Sequence, residues 1–291
     1  MKLPTLALLA PLALTGCVVD VDSQGQIVRD EKRFAVSGVP DLRLSTFDGS
    51  IELRSWDRPE VLVEIEKRGP TREAVDALQI ETTQDANRIA LEVKQPRREN
   101  FSGFGFNQSV NARLIVSVPQ RCDVVARTGD GSIRIDRLAG RIELRTGDGS
   151  IRASEVSGEL KMNTGDGAIN VEGAEGQLDL ETGDGGVAVT GKLTALRMHT
   201  GDGSIAYHAA PGSSMEDDWT ISTGDGTVSL YLPSDFNAEI DAHTGDGSVS
   251  NELKLTSGSG ADRRSVRGRL GSGGRLLRVR TGDGSIRLRT N

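Results

Sequence analysis

A four-residue motif, Thr-Gly-Asp-Gly, recurs along this 291-residue chain and restricts the folds that are open to it. Its eight copies begin at Thr128, Thr146, Thr164, Thr182, Thr200, Thr223, Thr244 and Thr281. The first five copies recur at one fixed interval, whereas the later gaps are longer and unequal. A degenerate copy begins at Thr46. A fixed short period indicates one supersecondary unit that is stacked many times.

Each repeat has the alternation of a β-strand on both sides of its glycine turn. Ile142, Leu144 and Thr146 fall on one face, and Ile151 resumes that face after the turn. Alternation with a period of two is typical of strands, and Asp-Gly is typical of turns. A further glycine follows each of the first three motif threonines at a constant spacing, at Gly140, Gly158 and Gly176. Each unit is therefore expected to be strand, turn, strand, turn.

Two all-β folds fit this unit, and the charged residues help to choose between them. In a string of β-hairpins with two-residue loops, Arg127 would lie opposite Arg134, and opposed like charges are unfavourable. A solenoid stacks each residue on its equivalent, although Arg127 over Arg145 is then also a like pair. It would also form a ladder of alternating sign from Glu143, Lys161, Asp179 and Arg197. We expect a single elongated parallel β-solenoid (β-helix) built from 18-residue coils, with the hairpin string as the alternative.

The N-terminus predicts export and lipidation. Residues 1–16 carry one basic residue, Lys2, and an apolar run over 6–14, which is typical of a signal peptide. Leu14-Thr15-Gly16-Cys17 resembles a bacterial lipobox, whose cysteine becomes the lipidated first residue; an ordinary signal peptide with a chance cysteine is the alternative. Val18 occupies the place of an inner-membrane retention Asp, by resemblance to Gram-negative lipoproteins. We expect a lipid-anchored envelope protein, in the outer membrane if the organism is Gram-negative.

Lipidation of Cys17 would leave Cys122 without a partner for an intramolecular disulfide. Counting back from Thr128 by twos places Cys122 on the apolar face with Val124 and Ala126. We expect it to be a small buried hydrophobe.

Four segments follow from the pattern: a signal peptide (1–16), a lipidated tether (17–33), degenerate N-terminal coils (34–119) and regular repeats (120–291). Within the degenerate coils, strands are expected at 42–46, 51–55, 61–66, 78–82, 89–94 and 110–118, and a helical turn at 71–77. The loop at 96–109 holds Phe101, Phe104 and Phe106. These rings either contact a partner or tuck over the end of the core.

The later repeats carry insertions, which are expected at 208–219 and 233–237, with 257–269 looped out. Insertions into a solenoid fall on loops, often on the binding side. Trp219 and Tyr231 flank this region in a chain with only 3% aromatic residues, and they are therefore candidates for a contact.

The aspartates of the motif are the most regular carboxylates in the chain: Asp130, Asp148, Asp166, Asp184, Asp202, Asp225, Asp246 and Asp283. In a solenoid they would lie about 4.8 Å apart and repel by roughly 1 kcal/mol per pair in water. Hydrogen bonds from turn amides would offset this repulsion, and bridging calcium ions are the alternative. Because the spacing is not that of calcium-binding solenoids and no second ligand recurs, we expect structural caps and no metal or other cofactor.

The sequence offers no catalytic constellation, because every motif aspartate has the same surroundings. His199, His208 and His243 lack metal-like spacing, and neither a phosphate loop nor a nucleophile elbow is present. A carbohydrate-active solenoid enzyme is therefore the least favoured function.

Charge is distributed unevenly along the chain. The net charge is −7, yet residues 262–291 hold nine Arg against two Asp, a balance of +7, and this leaves −14 for the rest. The arginines would form a basic end of the rod, opposite the lipid. This predicts an anionic envelope polymer, lipid or protein as partner, and no nucleic acid. Alternatively, the arginines neutralise acidic turns beside them. The candidate contact residues, placed in the expected loop, are Arg263, Arg264, Arg267 and Arg269.

The Thr-Gly-Asp-Gly-Ser-Ile units, the Ser-Val-Pro at 117–119 and the closing Leu-Leu-Arg-Val-Arg-Thr-Gly-Asp-Gly-Ser-Ile at 276–286 resemble the bacterial putative-adhesin β-strand-repeat family of the toastrack type. The resemblance covers about 34–291. It implies a parallel β-solenoid exported to the envelope, and it implies no catalytic residues. We expect a non-enzymatic envelope lipoprotein that acts as a scaffold or adhesin-like surface, with a regulatory or sensing partner in envelope stress as the alternative.

Overall fold

The computed structural model describes residues 18–22, 25–94, 110–256 and 262–291. Before the repeats, these residues form one short helix, α1 (Arg72–Asp76), and the strands β1 (Val18–Asp22), β2 (Gly25–Ala35), β3 (Asp41–Thr46), β4 (Ile51–Trp56), β5 (Glu60–Gly69), β6 (Gln79–Asp85), β7 (Arg88–Lys94) and β8 (Asn111–Pro119). The repeats form β9 (Asp123–Thr128), β10 (Ile133–Asp136), β11 (Ala139–Thr146), β12 (Ile151–Ser154), β13 (Ser157–Thr164), β14 (Ile169–Thr182), β15 (Val187–Thr200), β16 (Ile205–Ala209), β17 (Trp219–Thr223), β18 (Val228–Leu232), β19 (Ala238–Thr244), β20 (Val249–Asn251), β21 (Leu255–Thr256), β22 (Ser265–Leu270), β23 (Leu276–Thr281) and β24 (Ile286–Thr290).

The chain is all-β, as the alternation predicted, and each strand predicted before the repeats is present. The helical turn predicted at 71–77 is also confirmed as α1, whose N-cap Thr71 accepts a hydrogen bond from the Ala74 amide. Cys17 and the loop with Phe101, Phe104 and Phe106 lie outside the described residues.

Strands of the repeats pair in parallel with their counterparts in neighbouring units. The strands before the Gly-Asp-Gly turns form one ladder, in which Thr128 pairs with Thr146 and Thr146 with Thr164. The strands after the turns form a second ladder, in which Ile133 pairs with Ile151. The strand before each turn thus pairs with the next unit and not with the strand after the turn, which rules out the hairpin string.

The residues predicted to face inward fill one continuous core. Ile142, Leu144 and Ile151 are completely buried, as is Cys122. All four belong to a hydrophobic cluster that extends from Phe34 to Leu288 along the described chain. Parallel strands expose few polar backbone groups inside such a core, because each ladder satisfies its own amides.

The order of units in space differs from their order in sequence at both ends of the stack. We name each unit by its motif threonine. The Thr281 unit lies between the Thr223 and Thr244 units, since β23 pairs with both β17 and β19. Likewise β3 pairs with both β7 and β9, so the Thr46 unit lies second from the other end. The last two units in sequence, those of Thr244 and Thr281, still lie together at one end of the stack as predicted, but in exchanged order.

Antiparallel strands extend the stack at its ends, so the pairing is mixed. At one end β8 pairs with β5, β5 with β2 and β2 with β1, while β6 pairs with β7. At the other end β22 pairs antiparallel with β19. A parallel stack leaves an unpaired row of backbone groups at each end, and an added strand satisfies one such row.

Two segments predicted to be irregular are strands in the structure. The predicted tether at 17–33 contains β1 and most of β2, in which Val28 and Phe34 are buried. The segment 257–269, predicted to loop out, includes most of β22. In β2 five charged residues stand in a row between the buried Val28 and Phe34, and in β22 Arg267 and Arg269 alternate with other residues. Partners on the neighbouring strand neutralise charges of both strands; Lys67 lies 2.9 Å from Asp30, for example.

Among the residues that the structure describes, no helix is both long enough and apolar enough to cross a membrane.

Candidate functional site

The motif threonines bind neighbouring units together. The buried Thr164 hydroxyl donates to the Gly149 carbonyl over 2.8 Å, lies 3.2 Å from the Gly147 carbonyl, and accepts from the Gly167 amide over 3.3 Å. One side chain thereby connects its own turn to the turn of the preceding unit. The other motif threonines all repeat the hydrogen bond to the neighbouring turn: Thr128, Thr146, Thr182, Thr200, Thr223, Thr244 and Thr281.

The motif glycines are required by the close approach of stacked turns. A Cβ on Gly149 would lie 2.0 Å from the carbonyl oxygen of Gly131, and a Cβ on Gly147 would lie 2.7 Å from that of Gly129. Both obstacles are backbone atoms of the preceding unit, which cannot rotate away. Threonine and glycine therefore serve the packing of the motif, and the aspartate is its only exposed side chain.

The motif aspartates lie exposed along one edge of the stack. Within the described residues, their carboxylates accept no hydrogen bond, so the predicted capping by turn amides is wrong. Water solvates the charges instead, and this weakens their mutual repulsion. The described residues also contain no group of three or more His, Cys, Asp or Glu side chains placed to hold a metal ion.

The ladder of alternating charge predicted from the sequence is confirmed by the strand register. Lys161 lies 3.4 Å from Asp179, and Arg197 lies 3.9 Å from the same carboxylate. The like pair of Arg127 and Arg145 is relieved by Glu143, which contacts both guanidinium groups at 3.2 and 2.9 Å. These side chains are largely exposed, so each pair contributes little to stability.

Cys122 is buried in the core, as predicted. Burial raises the pKa of its thiol to about 12, and the nearby carboxylates of Asp123 and Asp41 add to the effect. A thiol that stays protonated at neutral pH is a poor nucleophile. The side chain therefore serves packing and not chemistry.

The arginines of the proposed anionic contact occupy two different environments. Arg267 and Arg269 lie on β22 and pair with Asp241 at 3.1 Å and Glu239 at 2.8 Å on β19. Arg263 and Arg264 are exposed just before β22, without an ion pair to any residue that the structure describes. Sequence reasoning placed all four in one loop because it did not detect β22.

Asp241 is the most strongly paired carboxylate at this end of the stack. It accepts hydrogen bonds from both Arg267 and Arg280. Partial burial alone would raise its pKa, but the two guanidinium groups outweigh burial and lower the pKa of Asp241 below its ordinary value. This carboxylate joins β22, β19 and β23, and it therefore closes the stack.

The aromatic residues flagged in the sequence separate into a core set and a surface pair. Trp219 is fully buried, packs against Tyr207 and Phe236 at ring distances of 5.8 and 5.3 Å, and is therefore not a surface contact. Tyr231 is half-buried on the outward face and stacks on His208, with ring centres 4.0 Å apart and planes within 6°. The stacked pair lies on neighbouring strands just before two of the insertions.

The insertions into the later repeats meet at one corner of the stack. The loop 210–218 follows β16, the loop 233–237 follows β18, and the turn 271–275 precedes β23. Together they line a cavity of about 330 Å³, which we call the insertion pocket, through residues 213–215, Asn237 and residues 273–275. Sequence spacing identified two of the three segments but not their convergence.

Comparison with known proteins gives the following relatives. A putative adhesin from Parabacteroides merdae is 10% identical, with a TM-score of 0.42, over 89% of this chain and 95% of that chain. A putative adhesin from Bacteroides fragilis is 12% identical, with a TM-score of 0.39, over 89% and 96%. A putative cell adhesion protein from Clostridium sporogenes is 13% identical, with a TM-score of 0.29, over 90% and 99%.

No curated protein matches the chain in sequence. The family model described as Toastrack DUF4097, in contrast, matches residues 40–289, which is most of the chain and includes every copy of the repeated motif. The resemblance drawn from the motif is thereby confirmed, and the chain belongs to the Toastrack DUF4097 family.

Proposed function

We propose that this chain is a non-enzymatic lipoprotein of the bacterial cell envelope, whose parallel β-solenoid presents an adhesin-like binding surface. The observation that carries the proposal is that the threonines and glycines of the motif serve packing, while its aspartates are exposed. The threonines and glycines form the contacts between units, such as the 2.8 Å hydrogen bond from the Thr164 hydroxyl to the Gly149 carbonyl. These contacts hold the units in a rigid stack. Such a stack holds its surface side chains and insertions at fixed spacing, as binding scaffolds do.

The solenoid part of the proposal is supported by the strand register. Parallel pairing of each motif threonine with the next joins the units from Thr128 to Thr182 without a break. The antiparallel strands at the two ends act as caps, because they occupy backbone groups that a further unit would otherwise pair with.

The lipid anchor is proposed from the lipobox Leu14-Thr15-Gly16-Cys17, and the partner from the exposed arginines near the C-terminus. Arg263 and Arg264 form no ion pair within the described chain and can meet an anionic envelope polymer or lipid, although Arg264 also donates to the Gly245 carbonyl over 3.4 Å. Arg267 and Arg269, in contrast, are already paired with carboxylates. The proposed anionic contact therefore includes two of the four arginines that the sequence suggested.

The anchor is tested by metabolic labelling of cells with a fatty-acid analogue. Cys17→Ser should abolish labelling and release the protein from the membrane fraction, whereas Cys122→Ser should leave both unchanged because that thiol is buried. Labelling that persists in Cys17→Ser contradicts the anchor.

Binding is tested by sedimenting the purified full chain with cell-wall sacculi and with outer-membrane vesicles. We expect retention that weakens as salt rises, because exposed charges are screened within about 10 Å at 0.1 M salt. Arg263→Glu together with Arg264→Glu should reduce retention without unfolding the chain. If neither material retains the wild-type chain at low salt, the binding function is contradicted.

A further inference from the structure

The insertion pocket exists because three departures from the regular period lie side by side. Regular units close this corner with a short turn between strands, as between β10 and β11. The three insertions come from separate parts of the sequence, and the placement of the Thr281 unit between its neighbours brings them together. A cavity of about 330 Å³ lies within the range of about 300–1,000 Å³ that is usual for small-ligand sites.

We propose that the insertion pocket binds a sugar acid, meaning a polyhydroxylated ring with one carboxylate, and that Arg275 holds the carboxylate. The inference rests on the proposed binding function and names the class of ligand that this surface takes. It assigns the site to the insertions and not to the aspartate ladder.

Arg275 supplies the positive charge of the pocket. It is exposed, and within the part of the chain that the structure describes it forms no ion pair, whereas Arg269 close by is held by Glu239 at 2.8 Å. A planar guanidinium group matches a carboxylate through two parallel hydrogen bonds. One cation in the lining suits a ligand that places a single carboxylate in the pocket.

No acidic residue of the described chain lines the pocket, and the carboxylate of Glu239, which approaches Gly273, is already paired with Arg269 at 2.8 Å. Asp218 accepts a hydrogen bond from the Leu276 amide over 2.9 Å, which commits one of its oxygens to fixing the loop beside β23. Glu216 and Asp217 do not line the cavity.

The rest of the lining is neutral and can hydrogen-bond to hydroxyl groups. The exposed Ser214 provides a hydroxyl group and Gly274 provides backbone, whereas the Ser213 hydroxyl already donates to the Ala210 carbonyl over 2.8 Å. A Cβ on Gly274 would meet nothing within 4 Å, so a ligand can approach the backbone closely on that side. A site for phosphate or sulfate would instead collect several cations and backbone amides.

The pocket is also fixed in shape. Asn237 accepts two hydrogen bonds from Ser272, at 2.7 Å from the amide and 2.9 Å from the hydroxyl, so two of the insertions are linked directly. The neighbouring Phe236 is buried against Trp219. Met215, which is half-buried, adds an apolar surface for the carbon face of a sugar ring. A site that is already ordered loses little conformational entropy on binding.

The test is calorimetric titration of the purified full chain with trigalacturonate at low ionic strength. Maltotriose, which lacks carboxylates, and inorganic phosphate serve as comparison ligands. We expect saturable binding of trigalacturonate that is at least about tenfold tighter than binding of either comparison ligand. Arg275→Gln should weaken it at least about tenfold, and Arg275→Lys should restore part of the loss.

Arg278→Gln is the matched control, because Arg278 lies on β23 close to Arg275 in sequence, is also exposed and does not line the pocket. It should change the affinity by less than about twofold. Equal loss in Arg275→Gln and Arg278→Gln, equal binding of phosphate, or no binding of trigalacturonate by the wild-type chain would overturn the proposal.

The pocket and the broader binding function can fail separately. If Arg275→Gln sediments with sacculi or vesicles as well as the wild type, and trigalacturonate does not bind, the pocket is not the contact and the envelope function stands. If trigalacturonate binds but no envelope material is retained, the pocket stands and the envelope function fails.

Discussion

The hydroxyl of Thr146 donates a hydrogen bond to the carbonyl of Gly131 over 2.8 Å, and this contact joins neighbouring units at the turn. The same side chain accepts from the Gly149 amide, so it orders its own turn as well. Repetition of this contact along the ladder explains why the motif varies so little from unit to unit.

Replacement of Thr164 tests the strength of this connection. Thr164→Val keeps the volume but removes the hydroxyl, which leaves the buried Gly167 amide without its side-chain acceptor. We expect a loss of about 1–3 kcal/mol in the free energy of unfolding, measured by urea titration. Thr164→Ser should lose much less. Thr227→Val, at a half-buried threonine just after another motif turn, is the control, and a loss of equal size there would contradict the assigned role.

Two glycines with different surroundings test the close approach of turns. A Cβ on Gly149 would lie 2.0 Å from the Gly131 carbonyl oxygen, whereas a Cβ on Gly186 would have its nearest contact at 3.5 Å. Gly149→Ala should therefore cost several kcal/mol or prevent folding. Gly186→Ala should be neutral, or more stable by about 0.4–1 kcal/mol. Equal melting temperatures for the two variants would show that stacked turns can separate.

The pairing of Asp241 with Arg267 and Arg280 predicts a stability difference that depends on pH. The folded-state pKa of Asp241 is lowered, so the carboxylate stabilises the fold above its unfolded pKa and loses this effect as pH falls through the folded value. At neutral pH, Asp241→Asn should cost about 1–3 kcal/mol in the free energy of unfolding. The difference from wild type should shrink at pH values below about 4. Urea titrations across this range measure it.

Asp246→Asn is the control for that experiment. Asp246 is exposed, and no residue of the described chain donates a hydrogen bond to its carboxylate. Its replacement should change the free energy of unfolding by no more than about 0.5 kcal/mol at either pH. A difference between wild type and Asp241→Asn that is independent of pH would mean that shape, and not charge, makes Asp241 important.

The aspartate ladder should show no preference among divalent cations. Its carboxylates are exposed, and among the described residues no other side chain is placed to complete a coordination shell. Calcium and magnesium should therefore shift the melting temperature equally, through screening alone. Saturable stabilisation by calcium over magnesium, measured by calorimetry, would contradict this.

The strands, the turns and the inward face could be predicted, because the sequence of each repeated unit determines them locally. The alternation of Ile142, Leu144 and Ile151 with polar residues identifies the inward face, and the Gly-Asp-Gly between the strands marks the turn. The constant interval between motifs then determines which residues stack. These features depend on neighbours in sequence and on steric rules that apply to every unit alike.

The order of stacking could not be predicted, because the local features are the same in every unit. Because Thr223, Thr244 and Thr281 stand in nearly identical motifs, nothing local distinguishes the neighbours of one unit from those of another. Similarly, β2 was missed because its exposed residues are charged and only Val28 and Phe34 face inward. The insertion pocket depends on the order of stacking, so Arg275 did not emerge from the sequence as a site residue.

The position of the Thr281 unit between the Thr223 and Thr244 units has a kinetic consequence. A nascent chain delivers the Thr244 unit first, when the place beside β17 and β18 is still empty. If β19 paired with β17 at that stage, the stack would be shorter and β23 would be excluded from it. The edge of β17 must therefore stay unpaired until β23 arrives, or the pairing of β19 with β17 must be reversed. Completion then requires the last strands to enter between two existing ones, a slow, non-local step. A chain cut short before Leu276 would keep an open edge, which the C-terminal strands of a second copy could fill.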